Sequence, residues 1–275
     1  MRSRRRWGMR AMATGGTYFA ILLFVFPVLW MVVTGFKTER QAYTMPPLLW
    51  FRPTLAEFRL ALASGFGTYL SHSVEASLVS TAIAVVLGVP AAYAMVFRMR
   101  AKQSNNLLFF VLSTRFMPFA AIIVPLYVIF TKLHLLDTIP ALILVYTAMN
   151  LPLIIWMGRS YFMDVPAETL EAARLDGANL WQEMFRIAAP LSRSGLTASA
   201  LLAIIFAWND FFFAVNLTYT HSPTLPIMVS SFMSNENVFL AKVSGLGTLI
   251  VVVPVALGLY AQRHLVRGLS AGALK

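Results

Sequence analysis

The sequence predicts an all-α protein that crosses a membrane several times. Hydrophobic residues make up 59% of its 275 residues and charged residues only 12%, and the mean hydropathy is +0.72. Soluble domains carry about 25% charged residues, so this composition excludes an ordinary soluble protein. The apolar residues form continuous stretches that do not alternate with polar residues, which favours spanning helices over the strands of a barrel.

Six apolar stretches are each close to the roughly 20 residues that a helix needs to cross a bilayer. The predicted spans are Thr17–Phe36, Ser73–Phe97, Leu107–Thr131, Ile139–Gly158, Gly195–Val215 and Val243–Gln262. No soluble domain of ordinary size fits between them. We therefore expect one transmembrane domain over residues 1–275, with its core at about residues 71–262.

Lysine and arginine residues predict the orientation, because they are enriched in cytoplasmic loops. Of the 22 such residues, 15 lie in segments on the side of the N-terminus, six lie on the opposite side, and Arg115 lies within the third span. We expect both termini in the cytoplasm and no nucleic-acid partner. The basic segment Arg4-Arg5-Arg6 is interpreted as the positive flank of the first span, which should remain attached as an anchor.

Two segments fall on the outer side. The first, about residues 37–72, contains Met45-Pro46-Pro47, whose prolines oppose a helix, and then a helix-prone stretch at Leu55–Ala63. The second covers about residues 216–242. Neither segment is long enough to form an independent ligand-binding domain.

The sequence lacks the common signatures of enzymes. It contains no G-x-x-x-x-G-K-[ST] phosphate loop, no H-E-x-x-H zinc motif and no G-x-S-x-G nucleophile motif. Its four histidines are scattered without metal-ligand spacing, and it has no cysteine. We expect no catalytic residue, metal site or cofactor in this chain, and no hydrolysis of ATP by it.

A charged segment at residues 159–194 separates the fourth and fifth spans on the cytoplasmic side. Pro166 suits the first turn of a helix, where its missing N–H has no cost. Two glutamates follow near the positive end of the helix dipole. Gly177 ends the helix, because glycine accepts positive φ, and a second amphipathic stretch follows at Leu180–Ile187.

The first of these helices is expected to have a small apolar face made by Leu170, Ala173 and Leu175 together with Ala172. Two interpretations remain open from the residues alone. The helix is either a docking surface for a soluble partner or a solvated helix at the membrane surface.

The spacing in this segment resembles a known motif. Glu171-Ala172-Ala173 is followed at a fixed distance by Gly177, and then by Ile187 and Pro190 in the pattern I-x-x-P. This pattern is similar to the EAA loop of binding-protein-dependent ABC importer permeases. Ala189 departs from the leucine that usually precedes the proline, and the change is conservative in character.

Three other segments resemble the carbohydrate subfamily of these permeases: Met45-Pro46-Pro47 with Pro53-Thr54, Trp208-Asn209-Asp210-Phe211, and the tail at residues 262–275. The tail is similar to that of the maltose-type permease with six spans. The resemblance implies the type I permease fold of ABC importers in a bacterial or archaeal inner membrane. It also implies import of a carbohydrate, namely an oligosaccharide, a disaccharide or a sugar alcohol.

The resemblance further implies partners. Residues 159–194 would form a coupling loop whose helix sits in a cleft of a separate ATPase subunit, and the ATPase dimer would bind ATP and Mg²⁺. A second homologous permease subunit would complete the pathway, and an extracytoplasmic solute-binding protein would deliver the substrate. The implied coupling residues are Glu168, Leu170, Glu171, Ala172, Ala173, Leu175, Asp176, Gly177 and Pro190.

Five residues of the spans are candidates for the substrate pathway: Arg115, Asn150, Trp208, Asn209 and Asp210. A charge within a span usually faces a cavity or a partner. An ion pair of Arg115 with Asp210, or separate snorkelling, is favoured over substrate contact. For the asparagines and the tryptophan, helix–helix hydrogen bonds and interface anchoring compete with binding of a sugar.

Two other functions remain open. A permease for another solute, such as a glycerol phosphodiester, an amino acid or phosphate, would share the coupling loop. A membrane scaffold without transport activity would share the composition. The motifs of the outer loop and the tail argue against the first, and copurification with an ATPase and a second permease would exclude the second.

Overall fold

The computed structural model describes the backbone of residues 2–233 and 239–272 and the side chains of residues 12–233 and 239–260. The fold is all-α, as predicted. Its helices are α1 (Arg2–Gly35), α2 (Glu39–Ala42), α3 (Ala56–Ala63), α4 (Phe66–Phe97), α5 (Ala101–Ser113), α6 (Phe119–Lys132), α7 (Ile139–Met163), α8 (Ala167–Leu175), α9 (Leu180–Gln182), α10 (Ala189–Leu191), α11 (Arg193–Trp208), α12 (Phe212–Leu217), α13 (Leu225–Ser231) and α14 (Leu240–Gly272). The C-terminal motif at residues 262–275 lies outside the described side chains.

Four of these helices are long and apolar enough to cross a membrane alone: Met12–Gly35 within α1, Phe66–Phe97, Ile139–Met163, and Leu240–Tyr260 within α14. They confirm the first, second, fourth and sixth predicted spans, with differences of up to about two turns at the ends. The short helix α3 likewise confirms the helix-prone stretch predicted in the outer loop.

The third predicted span is not one continuous helix. A 3₁₀ turn at Thr114–Phe116 follows α5, and α6 continues after a bend of 87°. Pro118 causes the break, because the residue before a proline is disfavoured in the helical region. Met117 accordingly has an extended backbone with ψ 129°. Arg115 therefore lies at the break and not along a straight helix.

The fifth predicted span is also wrong as one helix, because α11 ends at Trp208 and α12 begins at Phe212. Asp210 explains the interruption. Its Oδ2 accepts hydrogen bonds from the backbone N–H groups of Phe213 and Ala214 at 3.1 and 3.2 Å. The side chain therefore caps the start of α12, and α11 does not continue through this position. A bend of 83° also separates α11 from the segment Leu180–Leu191, and the count of six spans holds only if each bent pair is one span.

The contacts divide the chain into two compact units, Met1–Phe66 with Val229–Val252 and Gly67–Met228 with Val253–Lys275. The second unit contains two apolar clusters. One is built around Tyr146, where α7 packs against α12. The other joins Tyr93 of α4 and Phe162 of α7 to the helices that follow α7. This second cluster attaches the predicted coupling loop to the long helices.

The first unit is held by a close approach of α1 to α14. A Cβ built on Gly35 would lie 2.9 Å from Cα of Gly245, so this contact requires a glycine. Glu39 adds a polar link, because its carboxylate accepts hydrogen bonds from the backbone N–H groups of Ala241 and Lys242 at 3.1 and 2.9 Å. These bonds satisfy free donors in the first turn of α14.

Asp137, which lies just before α7, holds the segment that follows α12. Its carboxylate accepts backbone hydrogen bonds from Tyr219, Thr220, His221 and Ser222 at 2.9–3.2 Å. Burial alone would raise the pKa of Asp137, but these hydrogen bonds stabilise the carboxylate, and the pKa lies below its ordinary value.

Candidate functional site

The ends of helix α8 follow from its flanking residues. Pro166 occupies the N-cap position with φ −59°. Gly177 has φ +84°, and the backbone N–H groups of Gly177 and Ala178 donate to the carbonyls of Arg174 and Ala173 at 3.0 and 2.9 Å. These bonds satisfy carbonyls of the last turn, and both predicted ends of the helix are confirmed to within one residue.

The two sides of α8 have different environments. Leu170 and Ala173 are buried, whereas Ala172 and Leu175 are exposed, Leu175 by 90%. The prediction that all four share one apolar face is therefore wrong. Residues three apart lie on the same side of a helix, but residues two apart do not, so 170 pairs with 173 and 172 pairs with 175.

The outward face of α8 is formed by the exposed residues Glu168, Glu171, Ala172 and Leu175. It combines two carboxylates with a small residue and an apolar tip, which suits a groove that has an apolar floor and a basic rim. Asp176, Gly177 and Pro190 are exposed as well. A Cβ built at Gly177 would meet no atom within 4 Å, so glycine is needed there for its backbone conformation and not for space.

The second predicted stretch, Leu180–Ile187, is not a regular α-helix. A side-chain capping box begins α9, and the backbone then continues as a π-helix at Glu183–Ala188. The rings of Trp181 and Phe185 stack at a centroid distance of 5.6 Å on the exposed side. Short π-helical segments are rare and occur frequently at functional sites.

The sequence analysis missed an ion cluster beside α8, which we call the Glu183 cluster (Glu183, Arg98 and Arg174). Glu183 is 0% exposed. Its Oε2 accepts hydrogen bonds from Nη2 of Arg98 at 2.9 Å and from Nε of Arg174 at 3.0 Å, and its Oε1 accepts one from Nη2 of Arg174. Little in the sequence signals this cluster, because Glu183 lies in an amphipathic stretch with other polar residues and Arg98 is 85 positions away.

The two arginines keep Glu183 ionised. The forked hydrogen bond from Arg174 stabilises the carboxylate by more than burial opposes it, so the pKa of Glu183 lies below its ordinary value. The same bond raises the pKa of Arg174. Both arginine side chains are about 40% exposed, so water solvates the surplus positive charge, while the carboxylate depends on its protein partners.

A cavity of about 400 Å³ lies beside the break between α5 and α6. Thr114 and Arg115 provide polar groups, and the rest of the lining is mostly apolar, including Phe119, Phe130 and Phe213. Mostly apolar cavities with a few directed polar groups are typical of small-molecule sites. Arg115 is the only one of the five predicted pathway residues that lines this cavity.

The predicted ion pair between Arg115 and Asp210 is absent. The carboxylate of Asp210 accepts a hydrogen bond from the hydroxyl of Tyr146 at 3.0 Å in addition to its bonds to α12. The guanidinium of Arg115 lies 5.3 Å from the centroid of the Phe206 ring, in the range of a cation–π contact. Arg115 and Asp210 both lie at helix breaks. Their distance from each other therefore cannot be predicted by counting residues along two continuous helices.

The three remaining pathway candidates lie within or beside α7 and α11. Asn150 is buried and donates to the carbonyl of Ala203 at 3.1 Å, and its Oδ1 has no partner among the described residues. Trp208 is 3% exposed, so it does not anchor at a lipid–water interface, and its Nε1 likewise has no acceptor in the described chain. Asn209 directly follows α11 and donates to the carbonyl of Ile205 in that helix at 2.8 Å.

Comparisons with known proteins cover nearly the whole chain. The family model described as "Binding-protein-dependent transport system inner membrane component" matches residues 84–270. The probable ABC transporter permease protein y4oR of Sinorhizobium fredii is 38% identical over 261 residues, 94% of this chain and 94% of that protein. The trehalose transport system permease protein SugB of Mycobacterium tuberculosis is 33% identical over 276 residues, 96% and 99% of the two chains.

A solved structure gives the same fold. In the crystal structure of a bacterial ABC transporter involved in the import of the acidic polysaccharide alginate, one chain matches with a TM-score of 0.75. The match covers 96% of this chain and 98% of that chain at 21% identity, and it shows that the all-α arrangement is the fold of an ABC importer permease.

Proposed function

The chain belongs to the family of binding-protein-dependent transport system inner membrane components, and on that premise we propose that it is the permease subunit of an ATP-driven importer for a carbohydrate. It is a multi-pass protein of the inner membrane. The observation that carries the proposal is the outward face of α8, a capped polar helix exposed to water in a chain that is otherwise apolar.

The outward face of α8 docks into a cleft of a separate ATPase subunit. Glu168 and Glu171 meet basic groups at the rim of the cleft, and Leu175 enters its apolar floor. Leu170 and Ala173 face the opposite way and hold the helix against the permease. Asp176 and Gly177 shape the turn after the helix, and Pro190 lies near the end of the loop, within α10.

The complex contains further subunits that supply the energy and the substrate. An ATPase dimer binds ATP and Mg²⁺, and its closure moves α8. A second homologous permease forms the other half of the pathway, and an extracytoplasmic binding protein delivers the solute to the outer loops. Both termini of this chain lie in the cytoplasm, in line with the distribution of lysine and arginine.

The substrate is an oligosaccharide, a disaccharide or a sugar alcohol. The 33% identity to a trehalose permease over 96% of the chain supports this class. Arg115 contacts the substrate from the wall of the cavity, where the aromatic rings stack on the apolar faces of a sugar. Oδ1 of Asn150 and Nε1 of Trp208 are buried without a partner among the described residues and serve the pathway, whereas Asn209 and Asp210 shape the break after α11.

Purification and uptake test the proposal. The tagged chain is isolated from native membranes with its partners, reconstituted into proteoliposomes with ATP inside, and supplied with the binding protein. A panel of trehalose, maltose, sorbitol, glycerophosphocholine and an amino acid is then offered. We expect ATP-dependent uptake of at least one saccharide or sugar alcohol. Purification without an ATPase, or uptake confined to the last two solutes, would contradict the proposal.

A further inference from the structure

Helix α8 is attached to the rest of its unit in two ways. Leu170 packs with Met184 and Phe162 in the second apolar cluster. The Glu183 cluster provides the other attachment, through side chains of defined geometry. Apolar burial is not directional, whereas a forked bond between guanidinium and carboxylate fixes both distance and orientation.

The Glu183 cluster joins three elements at one point. Arg98 directly follows the last residue of α4, Arg174 lies in the last turn of α8, and Glu183 is the first residue of the π-helix. No other carboxylate lies within 4.0 Å of either guanidinium in the part of the chain that the structure describes. Every ionic link from α8 to α4 in that part therefore passes through Glu183.

Burial makes the Glu183 cluster depend most on Glu183 itself. Each arginine is partly exposed and stays solvated without its partner, but a buried carboxylate that loses its arginines is left unpaired. Conversely, removing the charge of Glu183 releases both arginines at once. The apolar packing around Leu170 would remain, so α8 would stay folded and docked on its buried side.

We propose that Glu183 is a positioning residue that makes α8 and the cytoplasmic end of α4 move as one body, so that displacement of α8 reaches the second span through Arg174, Glu183 and Arg98. This inference rests on the proposed function, because it assigns a path to the movement that the ATPase would impose on α8. It predicts that loss of the Glu183 charge uncouples the movement of α8 from that of α4 while both helices stay folded.

Distances between spin labels test the mechanical link. The chain has no cysteine, so Thr169→Cys on α8 and Arg100→Cys just beyond α4 introduce its only thiols, both at exposed positions. The labels are measured in the assembled transporter. A labelled complex without these two cysteines gives the background signal from thiols of the partner subunits. We expect one narrow distance distribution with and without the ATP analogue AMP-PNP, and a distribution that broadens or shifts with AMP-PNP in Glu183→Gln. An unchanged narrow distribution in Glu183→Gln would overturn the proposal.

The number of saccharide molecules taken up per ATP hydrolysed distinguishes coupling from folding. In proteoliposomes, Glu183→Gln should lower this ratio by about fivefold or more while hydrolysis stays at half the wild-type rate or above. Arg174→Lys, which keeps the charge but loses the fork, should give an intermediate ratio. Arg186→Gln is the matched control, since Arg186 is an exposed residue of the same π-helix, and it should behave as wild type.

Two results would contradict the positioning role in this assay. One is a wild-type ratio in Glu183→Gln, and the other is a parallel fall of hydrolysis and uptake, which would mean that Glu183 supports folding alone. Failure of the wild-type complex to take up any saccharide would instead contradict the proposed function. The distance measurement needs no transported solute, so the two failures are distinguishable.

Discussion

The hydroxyl of Tyr146 donates a hydrogen bond to the carboxylate of Asp210 at 3.0 Å. Tyr146 is a buried residue of α7, and Asp210 lies in the break between α11 and α12. Because the same carboxylate also accepts the first backbone N–H groups of α12, it fixes α12 against α7. Phe213, one of the residues bonded in this way, lines the cavity that also contains Arg115.

Removal of this link should reduce stability in a graded order. Asp210→Ala deletes the acceptor of three hydrogen bonds and should cost about 2–3 kcal/mol, whereas Tyr146→Phe deletes one bond and should cost about 1 kcal/mol. Unfolding of the purified complex in detergent measures the difference. Tyr127→Phe, at an exposed tyrosine, is the control and should have no effect. A larger loss in Tyr146→Phe than in Asp210→Ala would contradict this account.

Substitutions at Gly177 should rank by their tolerance of positive φ. The position has φ +84° and open space around a Cβ, so the cost is conformational, about 1–2 kcal/mol for alanine and less for asparagine. We expect uptake in the order Gly177, Gly177→Asn, Gly177→Ala, while the amount of protein in the membrane stays constant. Gly177→Asp tolerates positive φ as asparagine does, but it adds a second carboxylate beside the exposed Asp176, and we expect no uptake from it. Equal uptake by all four would show that this turn does not shape the docking surface.

Changes on the outward face of α8 should release the ATPase without unfolding the permease. Glu171→Lys reverses an exposed charge, and Leu175→Glu places a charge on the exposed apolar tip. Both should leave membrane insertion unchanged but reduce copurification of the ATPase and abolish uptake. Lys102→Glu, on α5, controls for the reversal of an exposed charge elsewhere on the chain. Normal uptake by both α8 variants would refute the coupling role.

The hydrogen bonds of Asp137 predict a dependence of stability on pH. Because folding lowers the pKa of this carboxyl, its contribution is complete above the unfolded value of about 3.9 and is lost as the pH falls through the folded pKa. Asp137→Asn keeps a residue that tolerates φ 57° but loses the charge, so it should cost about 2 kcal/mol at neutral pH. The difference in unfolding midpoint between the two proteins should shrink below pH about 3.9, and a constant difference would contradict the charge effect.

Arg115 should affect transport of the substrate and not assembly. Its guanidinium lies at the wall of the cavity and over Phe206, with no carboxylate within 4.0 Å among the described residues. Arg115→Met should lower saccharide uptake by about tenfold, equivalent to about 1.4 kcal/mol, and Arg115→Lys should retain part of it. The ATPase should copurify with both variants. Unchanged uptake in Arg115→Met would remove Arg115 from the pathway.

Apolar length and the residues at helix ends predicted much of this molecule, whereas helix breaks, side-chain caps and contacts between elements account for what was missed. Apolar length located four continuous spans, and Pro166 and Gly177 located the ends of α8. Hydropathy predicted a continuous third span although Pro118, a residue able to bend a helix, lies within it. The break at Asp210 was missed because hydropathy does not register a side-chain cap. The Glu183 cluster was missed because Arg98 lies 85 positions from Glu183, and because the pairing of Arg174 with Glu183 depends on how α8 packs against the π-helix. The apolar face of α8 was predicted too wide because the position of Leu175 around the helix was not considered.

Cross-linking from the tip of α8 tests the central claim most directly. A photoreactive amino acid at position 175, where the native leucine is 90% exposed, is irradiated in native membranes, and the linked partner is identified by mass spectrometry. The same amino acid at Leu87, an exposed position on α4, is the control. We predict that position 175 links to a subunit that carries a G-x-x-x-x-G-K-[ST] phosphate loop, and that position 87 does not. Links from position 175 to lipid alone would contradict the account.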